Sequence, residues 1–300
     1  MVLEMGMNHF GEISLLTNIA KPNICVITNI GTSHIGNLGS RENILKAKLE
    51  ILEGAQNPTI VINNDNDLLH KWQEENKDTM NIITYGIQEA SDVNAEQIVL
   101  KENSSEFTCN LPKESAKIKV PVGGEHFVFN ALCAVSVGKT LGIETNQIRK
   151  GIEGFELTKK RMDIVELKNG AKIINDAYNA SLESMQASLK YLAEGKEKRK
   201  IAVLGDMLEL GEYTQKLHEK VGEAVYKNKI DILMCSGENI KYTIKKAKEL
   251  GMAEENIYYF EDKEELTNQL KELIKEGDII LLKASNGMRF FDIVEKMQKI

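Results

Sequence analysis

The 300-residue chain contains no Gly-x-x-x-x-Gly-Lys-Thr/Ser loop and no Gly-x-Gly-x-x-Gly fingerprint, so two common backbone cradles for nucleotide phosphates are absent. Gly138-Lys139-Thr140 ends like such a loop, but Cys133 stands where the motif's first glycine belongs, and the segment reads as the end of an amphipathic helix. Cysteine is scarce. Cys25, Cys109, Cys133 and Cys235 show no Cys-x-x-Cys spacing and fall in apolar stretches, which argues against a disulfide framework or zinc site and predicts buried, reduced thiols in a cytoplasmic protein. No apolar run is long enough to span a bilayer, and Glu4 interrupts the N-terminus before a signal-like segment can form. A net charge of -7, with Lys and Arg spread among Asp and Glu, argues against broad electrostatic binding to nucleic acid or an anionic membrane. Any phosphate site is therefore local. Internal repeats are absent, and the lysine-rich run from Gly195 to Lys200 reads as a solvated loop.

What is present is an alternation of strands and helices. A hydrophobic content of 42% over 300 residues supports a substantial core and two domains rather than one. The first part predicts strands near 1–6, 23–29, 58–63 and 80–86, with helices near 41–54 and 65–76, a parallel α/β pattern. From Asp92 to Val120 short alternating runs predict an antiparallel meander appended to that sheet, followed by helical periods near 130–135 and 144–153. A boundary falls between Gly154 and Arg161, giving domains over 1–156 and 157–300. Beyond it, strands near 171–175, 199–204, 230–235, 256–260 and 278–282, each followed by a helix, make a Rossmann-like unit. Because Met1-Val2-Leu3 leads straight into the first strand, the expectation is that the chain opens inside a longer ancestral one.

Three residues in the first part suit a metal and nucleotide site. Glu4 is expected at a strand's carboxyl end, where an acid can hold Mg²⁺, although a surface acid there is the plainer alternative. His34 lies in a Thr-Ser-His loop and either ligates a metal, contacts a phosphate or satisfies a local hydrogen bond. Lys48 falls on the apolar side of the helix, defined by positions 44, 45, 48, 49, 51 and 52, whereas Lys46 and Glu50 read as solvent-facing partners. A partly buried lysine costs free energy unless it is paired, neutral or modified. No role is assigned to His9, His70, His126 or His218.

Taken together, Glu4-Met5-Gly6-Met7-Asn8-His9, Ile27-Thr28-Asn29-Ile30-Gly31 with Ser33-His34, Ala47-Lys48, Gly124-Glu125-His126, Asn130-Ala131-Leu132, Asn175-Asp176-Ala177-Tyr178-Asn179-Ala180-Ser181 and Leu204-Gly205-Asp206-Met207-Leu208-Glu209-Leu210-Gly211 resemble the Mur ligase family of bacterial cell-wall synthesis, over essentially the whole chain. The last two stretches mark the branch that adds a dipeptide. The resemblance implies an ATP-dependent amide ligase that activates UDP-N-acetylmuramoyl-tripeptide as an acyl phosphate and joins it to D-alanyl-D-alanine. It implies Mg²⁺ held by Glu4, His34 and Lys48, with Lys48 carbamylated so that a cation becomes a carboxylate and with Lys48 and His34 serving catalysis. It further implies that Asn130 meets adenine, Asp176 the ribose and Arg161 the phosphates, with Asn179 beside the same nucleotide and Asp206 and Ser285 near the amine substrate.

Read without the resemblance, Asp176 is a helix N-cap before Ser181, Arg161 a linker charge, Asn130 a helix-start cap and Asp206 a loop acid. The chain also departs from the family pattern. The family's glycine loop and its UDP-gripping N-terminal domain are missing, so the chain alone is expected to bind ATP weakly and catalyse little or nothing. Smaller departures are Gly36, Leu182, Lys160 and Asn286. Two other readings stay open: a folylpolyglutamate synthase-like ligase, and a non-catalytic remnant that binds nucleotide or a partner across an exposed sheet edge.

Overall fold

The computed structural model describes residues 1–156, 161–195 and 199–298, so Lys160 and Lys196-Glu197-Lys198 lie outside the described residues. The chain divides into two compact units, Met1–Glu156 and Leu157–Ile300, and each contains a mainly parallel sheet flanked by helices.

In chain order the first unit comprises α1 (Glu12–Ala20), β1 (Ile24–Ile27), α2 (Ile35–Leu38), α3 (Arg41–Leu49), β2 (Thr59–Asn63), α4 (Asp67–Asn76), β3 (Asn81–Gly86), β4 (Val93–Lys101), β5 (Ser104–Leu111), β6 (Glu114–Val120), α5 (Glu125–Thr140) and α6 (Thr145–Glu153). Its described strands follow one another across the sheet in sequence order. β1 to β4 pair in parallel, and β4–β5–β6 form the antiparallel meander. Ile60, Val61 and Ile62 of β2 are all buried, which is why this strand is a continuous apolar run rather than an alternating one. α5 buries Phe127, Val128, Ala131, Leu132 and Val135, a three-to-four spacing that gives one apolar stripe. Its last turn contains Gly138-Lys139-Thr140, the helix end expected there.

Three expectations for this unit are corrected. Residues 1–7 form no strand, and Met1, Val2 and Leu3 are exposed. An apolar run becomes a strand only where a neighbour takes its backbone hydrogen bonds, and none of the described strands pairs with this one. The buried positions around α3 are Ile44, Ala47 and Glu50, so the inward face is rotated from the one expected. Glu50, expected to face solvent opposite Lys46, is buried: its carboxylate accepts the Gly11 amide at 2.8 and 2.9 Å and the Ser14 amide at 3.2 Å. It supplies the N-terminal cap that α1 lacks from its own side chains. The unanticipated α1 is held further by the Thr17 hydroxyl on the Ile51 carbonyl at 2.7 Å, and by Gly54, where a Cβ would overlap the Thr17 backbone.

The second unit contains β7 (Asp163–Glu166), β8 (Lys172–Asn175), α7 (Leu182–Glu194), β9 (Arg199–Gly205), α8 (Thr214–Lys227), β10 (Ile232–Ser236), α9 (Lys241–Glu249), β11 (Ile257–Phe260), α10 (Lys263–Leu273), β12 (Asp278–Lys283) and α11 (Phe291–Met297). The sheet order is β11-β10-β9-β12-β8-β7, parallel except for the antiparallel edge strand β7, which the sequence pattern did not reveal. Arg199 and Lys200 are the start of β9 rather than part of a solvated loop. Arg199 grips the buried Asp278 through Nε at 2.9 Å and Nη2 at 2.6 Å. Ile201, Val203, Ile280, Leu282 and Phe290 lie at the centre of the core. Inserting β12 between β9 and β8 makes the strand order reverse there, and ligand crevices of parallel sheets open beyond the carboxyl ends of strands at such a reversal.

Candidate functional site

In the second unit, the loops after β8, β12, β9 and β10 are tied together in the order in which their strands lie. β8 ends at Asn175, and the turn from Asp176 to Ser181 leads into α7, whose N-cap is Ser181 in a reciprocal capping box with Ser184. Asp176 is therefore not the cap. Its Oδ2 accepts from Lys283 Nζ at 2.5 Å and from the Ser188 hydroxyl at 2.7 Å, and its Oδ1 from the Met162 amide at 3.3 Å. Lys283, the last residue of β12, is 2% exposed and also donates to the Asn179 carbonyl at 3.1 Å. Burial pushes its ammonium below the ordinary lysine range; the Asp176 carboxylate opposes that shift and the Arg161 guanidinium adds to it. Arg161 is exposed, with its guanidinium 4.2 Å from the centroid of the Tyr178 ring. Asn179 is exposed on the same turn.

The loop after β12 continues the bracing. Asn286 Nδ2 donates to the Tyr178 carbonyl at 2.9 Å, while the Ser285 amide donates to the Asp206 carbonyl at 3.0 Å and the Ser285 hydroxyl accepts from the Leu208 amide at 2.9 Å. Asp206 and Ser285 are thus brought together, both buried. The Asp206 carboxylate accepts the amides of Glu238 at 3.1 Å, Asn239 at 3.1 Å and Ile240 at 2.7 Å, which fixes the turn leading into α9. Gly237 sits at φ +134 against that carboxylate, where any Cβ would collide with it. This acid is an anchor and not a free loop carboxylate. His218 of α8, fully buried, accepts the Met207 amide at Nε2 (3.1 Å), and its Nδ1 lies 2.8 Å from the Thr214 carbonyl. That pairing requires the neutral tautomer with its proton on Nδ1. Burial lowers its pKa from the ordinary histidine value, although the Thr214 carbonyl and the Asp206 charge pull the other way.

In the first unit, the segment following β1 is held from several sides. Lys48 Nζ donates to the Asn29 carbonyl at 2.7 Å; Arg41 Nη2 (2.8 Å) and Asn66 Nδ2 (3.2 Å) both donate to the Ile30 carbonyl. The fold therefore brings half-buried Lys48 to the loop that carries His34. His34 has φ 61 and starts α2, its carbonyl accepting the Asn37 and Leu38 amides at 3.0 and 3.2 Å. Glu4 is exposed in the segment before α1. Asn130 is exposed in the interior of α5 and so is not a helix-start cap. Among the described residues no three His, Cys, Asp or Glu side chains form a group able to hold a metal. Cys25 and Cys109 are buried, and burial pushes their thiols up to about 11 and about 12, so both are inert at neutral pH. No described helix is long and apolar enough to cross a membrane.

Sequence reasoning missed Lys283, His218 and Glu50. A lysine closing the apolar run Asp278–Lys283 was a usable signal, because a charge at the end of a buried strand needs a partner. His218 and Glu50 gave no such sign.

Two mainly parallel α/β units, with polar side chains on the loops beyond their strands, define a two-domain α/β protein of the kind that takes ligands at the carboxyl edge of its sheets. Residues 1–138 match the Mur ligase middle domain, and residues 160–286 match the Mur ligase glutamate ligase domain. The chain belongs to the Mur ligase family. It is similar to the UDP-N-acetylmuramoyl-tripeptide–D-alanyl-D-alanine ligases of Bacillus subtilis strain 168 (36% identical over 299 residues) and Escherichia coli K12 (30% over 302 residues), in each case over 99% of this chain. It spans 64% of the length of both relatives. Among solved structures it resembles MurF from Acinetobacter baumannii (TM-score 0.90, 28% identity, covering 100% of this chain and 64% of that one). It also resembles MurF ligase from Thermotoga maritima in complex with ADP (TM-score 0.85, 27% identity, covering 99% and 66%).

Proposed function

We propose that the chain provides the middle and C-terminal parts of an ATP-dependent ligase that joins D-alanyl-D-alanine to UDP-N-acetylmuramoyl-tripeptide through an acyl phosphate. In this reading residues 1–156 are the central ATP-binding domain lacking its glycine loop, and residues 157–300 are the C-terminal Rossmann-like ligase domain. The observation that carries this reading is the match of 99% of the chain to relatives bearing that ligase name. The braced carboxyl-edge loops of the second unit support it as a preorganised surface.

In this reading Asn130 meets adenine, Asp176 the ribose, Arg161 the phosphates with Asn179 close by, and Asp206 and Ser285 shape the place of the amine substrate. The Oδ1 of Asp176 carries one long bond from the Met162 amide, which leaves it acceptor capacity for a hydroxyl. Buried Asp206 acts by holding its loop, since its oxygens already receive three amides. By the resemblance, Glu4, His34 and Lys48 would hold Mg²⁺, a hard ion that takes one or two carboxylates and fills its other positions with water and phosphate oxygens. Glu4 offers an exposed carboxylate, His34 an imidazole, and Lys48 is a ligand only as a carbamate, because its ammonium is a donor to Asn29. Bound there, Mg²⁺ would neutralise phosphate charge.

The test is phosphate release from ATP with the muramoyl tripeptide and D-alanyl-D-alanine, measured for this chain alone and for this chain fused behind the remaining segment of the Bacillus subtilis relative. Little or no release by the chain alone and turnover dependent on both substrates in the fusion are expected. A folded fusion that binds nucleotide without turnover would favour a non-catalytic nucleotide-binding role instead.

A further inference from the structure

The loop after β12 grips two other loops at once. Toward the β8 side, Lys283 donates to the Asp176 carboxylate at 2.5 Å and the Asn179 carbonyl at 3.1 Å, and Asn286 donates to the Tyr178 carbonyl at 2.9 Å. Toward the β9 side, Ser285 bonds the Asp206 carbonyl at 3.0 Å and the Leu208 amide at 2.9 Å. A buried ammonium is a poor stabilising device: replacing a buried ion pair by apolar groups of similar volume is often neutral or better, whereas removing one partner alone is costly. An unbranched apolar side chain would fill the end of β12 equally well. What such a side chain could not supply is a directed donor reaching two points of the Asp176–Ser181 turn.

We propose that Lys283 is a positioning residue, whose ammonium fixes the turn carrying Asp176, Tyr178 and Asn179 and ties it, through Ser285, to the Asp206–Leu208 loop. Tyr178 in turn supports the Arg161 guanidinium at 4.2 Å, so the tether sets where that cation stands. The effect on nucleotide binding rests on the functional reading given above; the tether itself does not.

The experiment compares the chain with Lys283→Met and with the double variant Asp176→Asn/Lys283→Met, which leaves no buried charge without a partner and serves where the single variant does not fold. Hydrogen exchange of the Ala177–Ser181 amides is read in the chain, with exchange in β10 as the measure of global stability, and titration with ADP is read in the fusion described above carrying the same substitutions. In the folded variants, exchange across Ala177–Ser181 is expected to rise on the order of tenfold beyond any change in β10, and the ADP dissociation constant to rise by about as much, the worth of one charge-assisted hydrogen bond. Exchange that changes only in step with β10, or not at all, overturns the tether, since a merely structural lysine would affect both regions alike. Unchanged ADP affinity with a loosened turn overturns the link to binding. A wild-type fusion that binds no ADP removes the functional reading, and the exchange comparison still decides the tether.

Discussion

Acidification should loosen the second unit through His218, and the size of the effect can be worked out from its two ring contacts. The neutral ring accepts the Met207 amide at Nε2, and its Nδ1 faces the Thr214 carbonyl, so adding a proton to Nε2 sets two donors against each other inside the core. Burial lowers the folded pKa, which means that the unfolded chain binds this proton more readily. The stability contribution is therefore complete above the unfolded value of about 6.5 and is lost as pH falls from there toward the lower folded pKa, where the loss levels off. If the folded ring stays neutral throughout, going from pH 7 to pH 5.5 removes about 1.3 kcal/mol. Native-state hydrogen exchange in β9 and β10, corrected for intrinsic rates, measures this for wild type and for His218→Gln, whose amide can make similar contacts without titrating. Subtracting the two pH dependences cancels the carboxylates common to both. The sole tryptophan, Trp72 on α4, reports the first unit, whose urea transition should be unaffected by the substitution. Parallel pH curves for the two proteins would refute the reasoning.

Three further outcomes are expected. Asp206→Ala removes the acceptor of three turn amides and should cost the second unit about 2–4 kcal/mol in native-state exchange, against about half that for Asp206→Asn, which keeps one acceptor oxygen; equal effects would show that charge and acceptor number are immaterial. Glu50→Ala strips α1 of its N-terminal acceptor, and exchange of the Leu15–Ala20 amides should speed up by an amount equivalent to about 2 kcal/mol, while β2 and β3 keep their protection. Arg161→Ala should weaken ADP binding about tenfold with no change in thermal midpoint, because the exposed guanidinium contacts the Tyr178 ring without being buried.

The parallel sheets were legible because their strands are short apolar runs bounded by polar turns, as in Ile60-Val61-Ile62, and the meander because its residues alternate. The errors share a cause. Val2-Leu3 has the composition of a strand, yet strand formation is decided by a partner that composition does not contain. Glu50 has the spacing of a solvent-facing partner of Lys46, yet α1, far away in sequence and near in space, offers it three amide contacts. β7 is an antiparallel edge of three half-buried residues and one exposed one, and carries little apolar signal.

The site divides along the same line. Residue types at loop ends were readable, since Asp176, Asp206 and Ser285 stand directly after apolar strands or on the loops that follow them. Their partners were not. Asp176 and Lys283 are 107 positions apart, and only the insertion of β12 between β8 and β9 makes their strand ends neighbours. Once they are neighbours, the chemistry leaves little choice: a lysine 2% exposed must spend its protons on oxygens, and those within reach belong to the β8–α7 turn. Strand order therefore converts an unremarkable lysine into a fixed point of the crevice, and the identity of that fixed point depends on topology rather than on any local motif.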